Sequence, residues 1–98
     1  MGKYILSKKA VEDLSNIWHY TVETWSEKQA DIYYYLLIEG CKYLTENQKV
    51  GKSYDEIFDG LRGYKVKHHI IFYLVLSEGD IEIVRILHER MDLPNHLN

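Results

Sequence analysis

The chain has 98 residues, 46% of them hydrophobic, and a formal net charge of -3. That length suits a single domain over residues 1–98 with one core, and the composition excludes a disordered chain. The negative balance provides no global field for a phosphate backbone, so no direct sequence-specific nucleic-acid binding is expected. Cys41 is the one cysteine, which excludes an intramolecular disulfide. The N-terminal MGKYILSKK lacks the apolar core of a signal peptide, and no run approaches the ~20 apolar residues that span a bilayer. A cytoplasmic protein with no membrane partner is expected.

Tyr4-Ile5-Leu6 is a short β-prone run, and Ser7 follows it as a helix N-cap. Ala10, Leu14, Ile17, Trp18, Thr21 and Trp25 then recur at steps of three and four. They predict one amphipathic helix whose stripe buries both tryptophans. Ser26 with Gln29 reads as a capping box for a second helix, with Ala30, Tyr33, Tyr34, Leu37, Cys41 and Leu44 as its buried stripe. Gly40 within that stripe offers close approach to the first helix. The near absence of a linker predicts an antiparallel helical hairpin.

Residues 47–63 are rich in turn formers, with Ile57, Phe58 and Leu61 placed to pin the loop to the core. Tyr64-Lys65-Val66-Lys67 alternates as a strand, and His68-His69 link it onward as a turn or bulge. Ile70 to Leu76 and Ile81 to Leu87 are dense β runs around Ser77-Glu78-Gly79-Asp80, where Gly79 can take a positive φ. This hairpin is the expected core. Pro94 stops any continuing strand in the tail.

The expected order is β-α-α-β-β-β: an α+β fold, with an antiparallel sheet and a helical hairpin on one face. The first strand returns at an edge or beside the last strand. The opposite sheet face has no expected cover and, being apolar, reads as a binding surface.

Chemistry is sparse. His68 and His69 are adjacent and point to opposite faces of any strand, so they predict no metal site. Cys41 reads as core packing, and Gly60-Leu61-Arg62-Gly63 lacks the spacing of a phosphate loop. No cofactor and no catalytic residue is expected. Arg62, Lys65, Lys67, Arg85, His88 and Arg90 can converge at one end of a small sheet. They read either as an anion site or as solvated rim charges, with Arg85 paired to a carboxylate such as Glu82. In Tyr33-Tyr34-Tyr35, two rings suit the core and Tyr35 points outward.

Several motifs together resemble the RelE/ParE superfamily of bacterial toxins, and its ParE branch most. They are Leu6-Ser7, Ala10, Asp13-Leu14, Ile17, Tyr20-Thr21, Trp25, Gln29-Ala30 and Tyr33 in the first half. Gly51-Lys52-Ser53, Gly60-Leu61-Arg62, Tyr64-Lys65-Val66, His69 and Ile71-Phe72-Tyr73 follow in the middle. Ile83, Arg85-Ile86-Leu87-His88, Met91-Asp92 and His96-Leu97 close the chain. The combination covers nearly all of it. The resemblance implies the toxin of a type II toxin–antitoxin pair, held in a hetero-oligomer by a ParD-like antitoxin. It implies poisoning of DNA gyrase by binding, without chemistry of its own. Arg62, Lys65, Arg85, His88, Arg90, Met91 and Asp92 are the implied target contacts. The alternative is a RelE-like ribosome-dependent mRNA endoribonuclease, with Lys65, Lys67, Arg90, His88 and His96 as candidate groups. The chain departs from both patterns at Ile70, where arginine is common. It departs from the ParE pattern at Lys67, where glycine is common.

Overall fold

The computed structural model describes residues 2–91 and 93–97. Its elements run β1 (Lys3–Leu6), α1 (Lys8–Thr24), α2 (Glu27–Glu46), β2 (Lys52–Ser53), β3 (Arg62–Val66), β4 (His69–Ser77), β5 (Asp80–His88) and α3 (Leu93–Leu97). Both long helices start at a serine whose hydroxyl accepts a backbone N–H three residues on: Ser7 from Ala10 and Ser26 from Gln29. Each satisfies one of the N–H groups that a helix start leaves without a partner.

The strands form one sheet in the order β1-β5-β4-β3-β2. Strands β2 to β5 pair antiparallel, and β1 joins β5 in parallel, with Tyr4 opposite Ile81 and Leu6 opposite Ile83. A parallel pair needs a long crossover, and here the two helices and three strands in between provide it. The fold is therefore α+β with the helical hairpin on one face, and the sheet is mixed at the β1 edge. The β4–β5 turn places Gly79 at φ 86°. The β3–β4 turn places Lys67 at φ 55°, the left-handed region where a side chain is disfavoured.

The main core lies between helices and sheet. Ala10 and Leu14 of α1, Leu37, Cys41 and Leu44 of α2, and Ile71, Tyr73, Ile81, Ile83 and Ile86 of the sheet form it. Simple alternation along β5 cannot turn Ile81, Ile83 and Ile86 to the same face. An irregularity resolves this: Phe72 sits opposite Arg85 and Tyr73 opposite Ile83, leaving Val84 as an extra residue. The Ser7 hydroxyl donates to the Val84 carbonyl at 2.7 Å, so the cap of α1 also holds the bulge.

Five expectations change. Phe58, expected to pin the loop to the core, is exposed, and Ile57 and Leu61 do so without it. Trp25 is 76% exposed rather than buried, because it caps the C-terminus of α1 after the last helical turn. Tyr34 is exposed as well as Tyr35. Gly40 faces the sheet, not α1: a Cβ there would meet Ile71 and Val66 at 3.0 Å. The second sheet face is covered. Leu61, Ile70, Phe72 and Leu87 form a buried cluster there, packed by Tyr54 and Ile57 of the loop and by Leu93 and Leu97 of α3. Loop and tail do what no long element was available to do. Among the described residues no helix is long and apolar enough to cross a membrane.

Candidate functional site

The β3–β4 turn and the end of β5 bring titratable side chains together at one end of the sheet. Register sets His69 opposite His88. Their rings meet edge to face at 5.2 Å, and the rings of His68 and His88 lie nearly parallel at 6.3 Å. Tyr33 reaches this cluster from α2. Its hydroxyl lies 2.6 Å from His69 Nδ1 and accepts the His68 backbone N–H at 3.2 Å. Burial, then His88 and His68, push the His69 pKa down to about 4. His69 is therefore neutral at pH 7, and the tautomer it adopts sets which partner donates in the Tyr33–Nδ1 hydrogen bond. Burial raises the Tyr33 pKa in turn.

Glu89 anchors the other side. Its Oε1 lies 2.8 Å from Lys65 Nζ and its Oε2 lies 3.1 Å from His68 Nδ1. Hydrogen bonds from Lys65 and His68 hold its pKa down at about 2. Its own N–H donates to the His68 carbonyl at 2.9 Å, which ties the end of β5 to the turn. The Arg90 N–H donates to His88 Nδ1 at 3.1 Å, and the Met91 N–H to the His88 carbonyl at 3.0 Å.

Of the residues singled out from sequence, Lys65, His88, Arg90 and Met91 gather at this end. Arg62 lies at the opposite end of β3, where it donates to the carbonyls of Gly51 at 2.7 Å and Lys49 at 3.3 Å. Arg85 is drawn to Asp13 of α1 rather than to Glu82, through Nε and Nη2 at 2.8 and 2.9 Å. That pair raises the Arg85 pKa. Asp92 lies outside the described residues. Tyr33, His68, His69 and Glu89 belong to the cluster but not to the expected contacts. The adjacency of His68-His69 to a turn and of Glu89 to His88 was the available signal. Among the described residues no three His, Cys, Asp or Glu side chains are arranged to hold a metal ion. Cys41 is buried, and burial pushes its thiol up to about 12, so it is inert as a nucleophile.

A second surface lies at the other side of the molecule. β1 is an edge strand, and Ile5 on it is 56% exposed. Beside it, Leu6, Val11, Leu14, Trp18, Asp31 and Tyr34 line a groove between the two helices. The groove is mostly apolar, and Trp18 Nε1 donates to Asp31 across it at 2.9 Å. A neighbouring groove continues along Tyr4, Ile5, Glu39 and Tyr43. An open strand edge next to an apolar groove is the form that accepts an added strand and a helix from a partner.

Comparison with known proteins identifies the family. The family model for the ParE toxin of the type II toxin–antitoxin system parDE matches residues 4–93. Toxin ParE1 of Mycobacterium tuberculosis is 37% identical over 96 residues, covering 98% of each chain. Toxin ParE of Escherichia coli is 36% identical, over 99% of this chain and 94% of the relative. Toxin ParE1 of Caulobacter vibrioides is 32% identical over 99% of both. A chain of the chromosomal ParDE system from P. aeruginosa superposes with a TM-score of 0.77 at 24% identity, over 90% of this chain and 96% of that one, which supports the fold. This chain belongs to the ParE toxin family of type II toxin–antitoxin systems.

Proposed function

We propose that this toxin arrests growth by binding DNA gyrase and stalling it on cleaved DNA, and that a ParD-like antitoxin encoded beside it neutralises it. The observation that carries the reading is the match to the ParE family over residues 4–93. The antitoxin tail adds a strand to the β1 edge and lays an apolar helix into the groove of Val11, Trp18 and Tyr34. Such a tail orders on docking, and the area it buries offsets the entropy of that ordering. The opposite sheet face, closed by Tyr54, Ile57, Leu93 and Leu97, is not the docking surface. Target contact falls to Lys65, His88, Arg90 and Met91 at the cationic end, with Arg62 and Arg85 as the outlying candidates and Asp92 a candidate from the sequence alone.

One observation favours the endoribonuclease as a second reading. Tyr33 and His69 form a phenol–imidazole pair at 2.6 Å on the same sheet end as Lys65, a set able to move a proton. Induction in cells separates the two readings. The gyrase reading predicts a DNA-damage response within minutes of induction, with mRNA intact, and rescue by the co-expressed antitoxin. Rapid mRNA cleavage without a damage response contradicts it and supports the ribonuclease.

A further inference from the structure

Lys65 near the end of β3 and His68 within the β3–β4 turn both aim at one carboxylate. Lys65 Nζ takes one Glu89 oxygen at 2.8 Å and His68 Nδ1 the other at 3.1 Å. The two donors thus make a cradle that fits two oxygens of one anion, and Glu89 fills it. The surroundings carry more positive charge than Glu89 can match. Lys67 is exposed at the turn tip, His88 stacks on His68, and Arg90 is exposed just beyond. Among the described residues Asp13 also acts on His69, and it is engaged by Arg85. The chain as a whole has a net charge of -3, so the local balance at this end departs from that of the whole molecule.

The Lys65–Glu89–His68 arrangement adds little to folding. The Lys65 and His68 side chains are 61% and 74% exposed, and pairs so exposed are screened and entropically costly. A contact that stabilises so little is easily exchanged. A phosphate group presents more acceptor oxygens than a carboxylate and takes charge-assisted hydrogen bonds from the same donors.

We propose that Lys65 and His68, with His88 and Arg90 beside them, form a phosphate-binding site that the Glu89 carboxylate occupies in the free protein. Glu89 is an intramolecular plug, and the ligand displaces it. The ligand is either free phosphate or a phosphodiester of a nucleic-acid strand. This proposal does not depend on gyrase being the target.

The test is an NMR titration of backbone amides in the antitoxin-free protein. Inorganic phosphate and a short single-stranded DNA oligonucleotide are added in separate arms. Shifts are expected at residues 65–69 and 88–90. Glu89→Gln is expected to bind about 10-fold more tightly, since it removes both competitor and charge. Glu56→Gln, which removes the same charge from an exposed loop position, controls for the general field and is expected to change affinity by less than about 2-fold. Lys65→Ala with His68→Ala abolishes binding while the remaining spectrum stays dispersed. Oligonucleotide binding well above that of phosphate assigns the ligand to a nucleic-acid strand. Equal binding assigns it to phosphate itself. Glu89→Gln binding no tighter than the unaltered protein, Glu56→Gln gaining as much, or shifts elsewhere on the surface would overturn the proposal.

Discussion

Arg85 and Asp13 tie the last strand to the first helix through two side-chain hydrogen bonds, 2.8 and 2.9 Å long. Asp13 Oδ2 also accepts the Ile86 backbone N–H at 3.0 Å. The parallel ladder with β1 ends at Leu6–Ile83. Past that point β5 has no neighbouring strand on this side, and Asp13 takes the place of one for Ile86. The side chains are 16% and 11% exposed, so removing one partner leaves the other poorly solvated. Asp13→Ala should destabilise by about 2–4 kcal/mol, at or below the range for breaking a buried pair. Chemical denaturation measures it. Arg85→Ala should lose stability too, so lost toxicity in that variant reports folding before it reports target contact.

Tyr73 supports the loop after α2 from inside the core. Its hydroxyl donates to the Gln48 carbonyl at 2.7 Å and accepts the Gly51 N–H at 3.1 Å. Tyr73→Phe keeps the ring and orphans both backbone groups, which should cost about 1–3 kcal/mol. Gly51→Ala attacks the same joint from the other side, because a Cβ there would lie 2.5 Å from the Tyr73 hydroxyl. Both variants should melt below the unaltered protein in a thermal scan. An unchanged melting temperature for Tyr73→Phe contradicts this account of the loop.

Leu37 is fully buried where α2 meets the sheet. Leu37→Ala should cost about 2–5 kcal/mol through lost burial and a residual cavity. That is a large share of a typical ~5–15 kcal/mol stability. Calorimetry should show a lower melting temperature with a single cooperative transition retained.

His69 makes stability depend on pH. Its folded pKa is lowered from 6.5 to about 4, so the unfolded chain takes up the proton first. Stability is complete above pH 6.5 and is lost as pH falls toward 4. Glu89 acts in the same direction in a lower window but only weakly, because its pKa falls from 4.5 to about 2 through exposed, solvent-screened partners. Its contribution is present above pH 4.5 and is lost as pH drops through 2. The melting temperature should therefore decline between pH 6.5 and 4, and His69→Gln should flatten that decline. An equal slope in the variant contradicts the role given to His69.

Local patterns made much of the fold legible. Ser7 and Ser26 marked the helix starts through cap chemistry, and Gly79 marked the tight turn between two β-branched runs. Both signals act within a few residues, which is why they can be read along the chain. The Asp13–Arg85 pair joins positions 72 residues apart and has no local period. The Val84 bulge is just as hidden, because β5 reads as one apolar run whether or not a residue is extra. Trp25 fitted the helical spacing of its stripe, yet the helix ended at Thr24 and left the ring outside. At the candidate site, Lys65, His88 and Arg90 were legible as cations near strand ends. Tyr33, which reaches the site from α2, was absorbed into the core stripe, and Glu89 was not singled out.

The central claim is that this toxin acts on gyrase by binding. A supercoiling and cleavage assay with purified gyrase, antitoxin-free folded toxin and no ribosomes tests it most directly. The account predicts accumulated cleaved DNA that disappears when the antitoxin is added. It also predicts that Arg90→Ala, a change at an exposed position, weakens cleavage without lowering the melting temperature. Unimpaired supercoiling and no cleaved DNA at micromolar folded toxin would contradict it.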